Sequence, residues 1–348
     1  MDVWKRDNLA DRQTDRQTDR QTDRQTDRQT DRQTDIDILR GIGILSVVWY
    51  HMGIQNAFTQ YIASFHMILF FFVSGYCYRY GSLKLGAKKY IVKKSKSLLK
   101  PYFLWCILFS IVNMILDIRT DSFYLKKYIL NMVYSNLSFG ATWFLAALFI
   151  TTIVGAILID YISSFGILLL CSIISMTLGI IGMDYEMVNV FRWQQALFCV
   201  PAFVIGYIFK QNECNKSKRI SGVVTGVFMI CGILCSHFNG IAILSRMEFG
   251  KNIFLFYVGA IVSTVAWLSI ARMLVKTEQI QLIHALAFWG KNSLVVLVSH
   301  QLILFVVIFI VRSGEEGILG TTLCFTITIL IETVICKLSQ YKYLKNFF

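Results

Sequence analysis

Apolar windows alternate with short polar segments along nearly the whole chain. Ten windows are long enough to cross hydrocarbon as helices: 36–55, 61–80, 101–117, 141–160, 163–181, 192–209, 220–236, 252–271, 293–312 and 318–336. They predict an all-α polytopic integral membrane protein of about ten transmembrane helices. Window 36–55 is interrupted by Asp37, Arg40 and His51, and window 61–80 by His66 and Arg79. Polar side chains at such depth are costly unless they face protein or a wet cavity, so these two spans are the least lipid-like. The pattern stops before residue 36. Residues 1–35 form a polar lead in which six copies of Asp-Arg-Gln-Thr occupy positions 11–34. The lead is predicted to be disordered, and 36–348 to be the transmembrane domain.

Composition sharpens this division. The chain is 55% hydrophobic and 16% charged over 348 residues, but without the repeats the apolar share rises to about 59%, above the 45–50% of an average soluble domain. Each repeat pairs one Arg with one Asp, so the net charge of +13 belongs to the rest of the chain. Its placement reports orientation rather than nucleic-acid binding. The loop 81–100 carries Lys84, Lys88, Lys89, Lys93, Lys94, Lys96 and Lys100. The loops on its side hold Lys210, Lys216, Lys218 and Arg219, then Arg272, Lys276 and Lys291, then Lys337, Lys342 and Lys345. Opposite loops are mixed: Asp117, Arg119, Asp121, Lys126 and Lys127; Asp184 and Glu186; Arg246, Glu248 and Lys251; Arg312, Glu315 and Glu316. Both termini are therefore expected in the cytoplasm. No apolar signal segment precedes residue 36, so the first span is expected to target the membrane itself. Of nine cysteines only Cys214 lies in a polar loop, and no Cys-x-x-Cys pair exists. No metal site is expected.

The repeat has a further property. A four-base unit read in successive frames yields Asp, Arg and Gln only if it is GACA, and its fourth codon, ACA, then gives Thr unforced. Gain or loss of one unit shifts everything downstream by a base. The lead thus reads as a translated GACA tract, a contingency switch that turns the membrane protein on and off by slippage, while the peptide itself is an inert solvated coil.

The first span holds the most pointed chemistry. From Arg40 to His51 is eleven residues, or 1100° at 100° per residue, which puts both on one helical face about 16 Å apart along the axis. Asp37 lies three residues before Arg40, within pairing reach, and Gly41 and Gly43 permit close approach on the same helix. A guanidinium at the entrance and an imidazole deeper suit an anionic donor whose reactive end reaches the histidine. His66 opens the next span before an aromatic run, Phe70, Phe71 and Phe72, that reads as packing. His51 and His66 can converge on one hydroxyl, one as base and the other orienting or donating. No Ser-His-Asp elbow, P-loop or His-Glu-x-x-His is present.

These residues, Asp37-x-x-Arg40-Gly41 to His51, Phe65-His66-Met67 to Phe70-Phe71-Phe72-x-Ser74-Gly75-Tyr76, and Leu98-Leu99-Lys100-Pro101-Tyr102 closing a basic loop, resemble the acyltransferase-3 family of membrane O-acyltransferases, in particular its sugar O-acetylating branch. Trp143-Phe144-Leu145 and Lys291-Asn292-Ser293-Leu294 to His300 are weaker matches. The resemblance implies a ten-span enzyme of the bacterial inner membrane. Such an enzyme moves an acetyl group from cytoplasmic acetyl-CoA, its acyl donor, to a hydroxyl of an envelope glycan or lipid-linked sugar: lipopolysaccharide, O-antigen or capsule. Carried over, Arg40 and His51 are the essential pair, with His51 as general base or acyl carrier and His66 beside it. Arg40, Arg79, Lys94, Lys96 and Lys100 would hold the donor. Trp143 and His300 would contact the acceptor, and Arg192 would be either a substrate contact or an interfacial anchor. Ile68 stands where the family commonly has proline, and no room is expected for the extracytoplasmic hydrolase-like domain of some members. His237 and His284 are expected in solvated loops, and Glu332 as a partner to a polar group in the bundle. Membrane lipid is the expected surrounding partner; oligomeric state is left open. A glycolipid transporter or flippase is the competing class, disfavoured because no internal symmetry follows the repeats.

Overall fold

The computed structural model describes residues 34–118, 125–134, 137–216, 220–311 and 318–341. The lead through residue 33 lies outside these residues. So do several charges used for orientation: Arg119, Asp121, Lys218, Arg219, Arg312, Glu315, Glu316, Lys342 and Lys345. The described residues form fourteen α-helices and no strand, with one isolated bridge between Ile243 and Glu248. They are α1 (residues 34–50), α2 (Ala57–Tyr76), α3 (Ala87–Lys94), α4 (Lys100–Ile118), α5 (Leu125–Val133), α6 (Trp143–Tyr161) and α7 (Phe165–Asp184). The chain continues with α8 (Trp193–Phe198), α9 (Val200–Lys216), α10 (Gly222–Asn239), α11 (Ile253–Leu274), α12 (Ile280–Lys291), α13 (Ser293–Val311) and α14 (Ile318–Leu338).

Eight helices among the described residues are long and apolar enough to cross a membrane, matching eight of the ten windows. The protein is an all-α polytopic membrane protein. The two remaining windows are helical but altered. The first, α1, is short and carries Asp35, Asp37 and Arg40. The sixth is divided at Cys199 between α8 and α9.

The division at Cys199 has a cause in sequence. Pro201 lacks an N–H and its ring crowds the carbonyl four residues earlier, that of Leu197. That carbonyl accepts from Ser175 Oγ of α7 at 3.2 Å, and the neighbouring Ala196 carbonyl from Thr151 Oγ1 of α6 at 2.8 Å. Hydroxyls of adjacent helices thus satisfy the backbone at the break, as a membrane interior requires. The only other proline, Pro101, also marks an irregularity. Between α3 and α4, Ser95–Leu99 forms a π-turn in which the Lys100 N–H reaches Ser95 O. The wider register accommodates Pro101, which cannot supply the next α-helical bond.

α2 is the most buried helix and packs on α9 and α11, while α7 and α10 present exposed leucines, isoleucines and valines around the outside. It begins at Asn56, whose side chain accepts from Thr59 N at 2.8 Å, and ends at Tyr76, so Arg79 lies beyond it rather than inside a span. α2 and α9 meet backbone to backbone, because a Cβ on Gly75 would strike Phe203 O and one on Gly206 would strike Phe72 O. Where the basic loops gather, Arg272 of α11 joins four helices. Its Nε donates to Asp35 Oδ2 at 3.0 Å, its Nη1 and Nη2 grip both oxygens of Glu213, and Nη2 also reaches Tyr76 OH at 2.9 Å.

Asp160, buried at the end of α6, accepts from the backbone N–H groups of Gly81 at 2.8 Å and of Leu83 and Lys84 at 3.0 Å each. One carboxylate therefore shapes the entry to the lysine-rich segment. Burial, with Asp160 alongside, pushes the Tyr78 phenol above its ordinary range. His237 and His284 are exposed as expected, but they belong to α10 and α12 rather than to loops.

Candidate active site

α1 carries the site at both ends. At its start Arg40 Nη1 lies 3.6 Å from Asp37 Oδ1, one turn earlier, and Nη2 approaches Cys77 Sγ at 3.6 Å. Lys94, the last residue of α3, lies within electrostatic reach of Cys77 and Arg40, with its Nζ 5.8 Å from the centre of the Tyr90 ring. α12 is clamped against this part of α1: a Cβ on Gly41 would strike Leu286 O, and one on Gly290 would strike Asp37 O. The result is a cluster of cations at the basic end of the bundle.

At the other end His51 follows the last turn of α1 and meets His66 of α2 and His300 of α13. His51 and His300 have ring centres 5.0 Å apart, with His300 Nε2 at 3.4 Å from His51 Nδ1. The Tyr50 ring stands 5.3 Å from those of both His51 and His66. Each histidine directs Nδ1 at the carbonyl four residues earlier: His51 to Val47 at 2.8 Å, His66 to Ile62 at 2.7 Å, His300 to Val296 at 2.8 Å. A carbonyl only accepts, so each Nδ1 carries the proton and each neutral ring keeps a bare lone pair at Nε2. Helical i−4 carbonyls thereby set all three tautomers, and the Nε2 atoms are presented as bases.

His51 and His66 line a cleft of about 400 Å³, counted with its open mouth. Its walls come from α1 (Val47, Tyr50), α2 (Ala63, Met67), the turn into α6 with its first residue (Ala141, Trp143) and the hairpin Ala242–Ser245. Paired imidazoles over an apolar floor with one open side suit removal of a proton from a hydroxyl.

The sequence model of the acyltransferase-3 family, described as an acyltransferase domain, matches residues 33–337. The chain belongs to the acyltransferase-3 family. No curated protein and no solved structure matches it.

In this membrane acyltransferase the predicted residues divide into two groups. Arg40 and Lys94 come together at the basic end. Lys96 sits on the π-turn and Lys100 opens α4, both exposed, while Arg79 is exposed in the turn after α2. His51, His66 and Trp143 share the cleft, and His300 stands behind His51 rather than on the wall. Arg192 is outside the lining but supports it. Its Nη1 and Gln195 Nε2 both donate to Ser245 O, at 3.3 and 3.1 Å, and Ser245 lines the cleft. Phe191 and Arg192 are successive non-glycine residues with positive φ, 50° and 58°, a strained corner joined to the cleft wall through Ser245.

Sequence reasoning missed Tyr50 and the hairpin 240–250. The hairpin is pinned by the Ile243–Glu248 bridge and by Asn239, whose Nδ2 donates to Phe249 O at 2.7 Å and whose Oδ1 accepts from Asn252 N at 2.7 Å. Gly240 and Gly250, both at positive φ, are the signals that could have marked its ends.

Proposed function

We propose that this acyltransferase is an O-acetyltransferase that takes the acetyl group of cytoplasmic acetyl-CoA and places it on a hydroxyl of an envelope glycan. The observation that carries this is α1 itself, which has Arg40 in a cationic cluster at the basic end and His51 in an open cleft at the other. The cations fit the phosphates of a CoA donor: Arg40 offers a fork of N–H groups, Lys94 a point charge beside it, and Lys96 and Lys100 exposed charges on the following turns. The roughly 16 Å between Arg40 and His51 is bridged by an extended thioester-bearing arm. The acceptor enters from the cleft mouth, where Trp143 and Tyr50 offer aromatic faces to a sugar ring.

His51 Nε2 takes the proton of the acceptor hydroxyl as its oxygen bonds to the thioester carbonyl carbon. The C–S bond breaks, and His51 returns the proton to the departing thiolate. His66 Nε2, facing the same cleft, orients the hydroxyl. Proton transfer by a positioned side chain contributes about 10²–10⁴ in rate, so His51→Ala should lower kcat by that range. Mass analysis of envelope glycans from matched strains expressing wild type, His51→Ala or no protein tests the reading. An acetyl-sized increment should appear only with wild type. An increment that persists in His51→Ala overturns the mechanism, and no difference among the strains overturns the activity.

The Asp-Arg-Gln-Thr array supports a phase-variable gene, with slippage of a GACA tract controlling expression. Sequencing the coding DNA tests this: an uninterrupted GACA run is expected, and scrambled synonymous codons would refute it.

A further inference from the structure

We infer that His300 is a positioning residue for His51, not a contact to the acceptor. His300 is fully buried and absent from the cleft lining, so no acceptor in the cleft touches it. Its Nδ1–H is committed to Val296 O, which leaves Nε2 as an acceptor. That lone pair lies 3.4 Å from His51 Nδ1, whose single proton already points at Val47 O at 2.8 Å. The His51 N–H is therefore shared between a carbonyl and an imidazole. Two acceptors on one edge fix the tautomer and the rotation of the ring, and hold its opposite nitrogen toward the cleft.

The arrangement gains strength in the reaction. When His51 takes the hydroxyl proton at Nε2, its ring becomes an imidazolium, and a cationic N–H binds its acceptors more strongly than a neutral one. A bond long in the resting state and tightened as charge develops is the geometry expected of such a group. His300 serves here as the second acceptor that a triad draws from a carboxylate. Its own placement is secured one residue earlier, where Ser299 Oγ lies 2.8 Å from both carboxylate oxygens of Glu332 on α14, itself fully buried. That contact sets the rotation of α13 and hence the direction of the His300 ring.

This assignment rests on His51 being the base in the proposed transfer, and its test separates the two. Full-length wild type, His300→Gln and His300→Leu are purified in lipid nanodiscs and assayed with acetyl-CoA and envelope glycan extracted from a strain lacking the protein. Gln places an amide oxygen near the former Nε2, whereas Leu offers no acceptor. His300→Leu should lose about 10–100-fold in kcat, the range for removing a partner that orients a histidine, with both KM values nearly unchanged. His300→Gln should recover most of that loss. Combined with His51→Ala, His300→Leu should cost nothing further, because it acts through His51. A raised glycan KM with kcat intact, a Gln variant as slow as Leu, or an additive double loss overturns the assignment. Mass-spectrometric labelling of His51 by diethylpyrocarbonate needs no substrate. It should slow several-fold in His300→Leu and not in His300→Gln; equal labelling in all three overturns the positioning role even if no acetyl transfer is found. Should the Leu variant fail to assemble, His300→Gln and His300→Asn give the same contrast, since the shorter Asn cannot reach His51.

Discussion

Arg40 meets three groups with different consequences. Asp37 steadies it from within α1, Cys77 contacts its far nitrogen, and Lys94 adds like charge that an anionic ligand would relieve. Replacing Arg40 by Ala should therefore raise the KM for acetyl-CoA about 10–100-fold, the equivalent of roughly 1.5–3 kcal/mol for charge-assisted bonds. His51 chemistry should persist at saturating donor. Arg40→Lys should recover only part of this, because an ammonium lacks the planar fork. Steady-state kinetics with acetyl-CoA varied will check both. The pairing of Arg40 with His51 was legible because His51 directly continues the last turn of the helix that carries Arg40, where 3.6-residue geometry converts spacing into position. His300 lies 249 residues from His51, and no local period reports such a meeting. The Ser299-His300-Gln301 run marks a polar point in its otherwise apolar helix, but only tertiary packing discloses what the ring faces.

At the scale of elements, the two prolines explain what window-counting could not. Hydropathy registers Pro201 as one more tolerated residue, yet it divides the sixth span, and the hydroxyls that repair the break come from Thr151 and Ser175 on other helices. Pro101 places the π-turn among the lysines proposed to hold the donor. In Pro101→Ala an α-helical register becomes available, which turns Lys94 and Lys96 relative to Lys100. The expected result is weaker acetyl-CoA binding with little change in thermal stability. Asp160 offers the opposite case. Asp160→Ala removes an acceptor from the buried N–H groups of Gly81 and Leu83 and the half-buried one of Lys84, and should destabilise the protein by roughly 1–3 kcal/mol, the cost of a buried donor left unpaired. A lowered melting temperature in detergent checks this. The helix α12 escaped the sequence reading because twelve residues are too few for a span, and its glycine contacts with α1 are invisible to hydropathy.

The whole molecule has two unlike ends. Cations collect around the start of α1, and the histidine cleft opens at the other end beside the strained Phe191–Arg192 corner and the Ala242–Ser245 wall. The alternation of apolar and polar segments made the membrane architecture legible from sequence. The blocks around Arg40, His51 and His66 made the family legible too, because local spacing carries them. Which loop walls the cleft was not legible, for the hairpin comes from a segment with only weak apolar patterning. Substitution on this wall should affect the acceptor alone: Ser245→Trp, which fills the mouth, should raise the glycan KM while leaving the acetyl-CoA KM unchanged. A parallel rise in both would show that donor and acceptor share one entrance.

The salt bridge between Asp35 and Arg272 also bears on how the fold tolerates its own beginning. Asp35 immediately follows the sixth Asp-Arg-Gln-Thr block and is the residue with which a seventh would start. Insertion or deletion of whole four-residue blocks therefore always returns an aspartate to the position before Ile36. The bundle thus draws its first anchoring charge from the residue that borders the repeats. Because any in-frame change in the number of blocks would preserve that charge, a variant made with four blocks or with ten should deliver the same latch to Arg272 and the same enzyme.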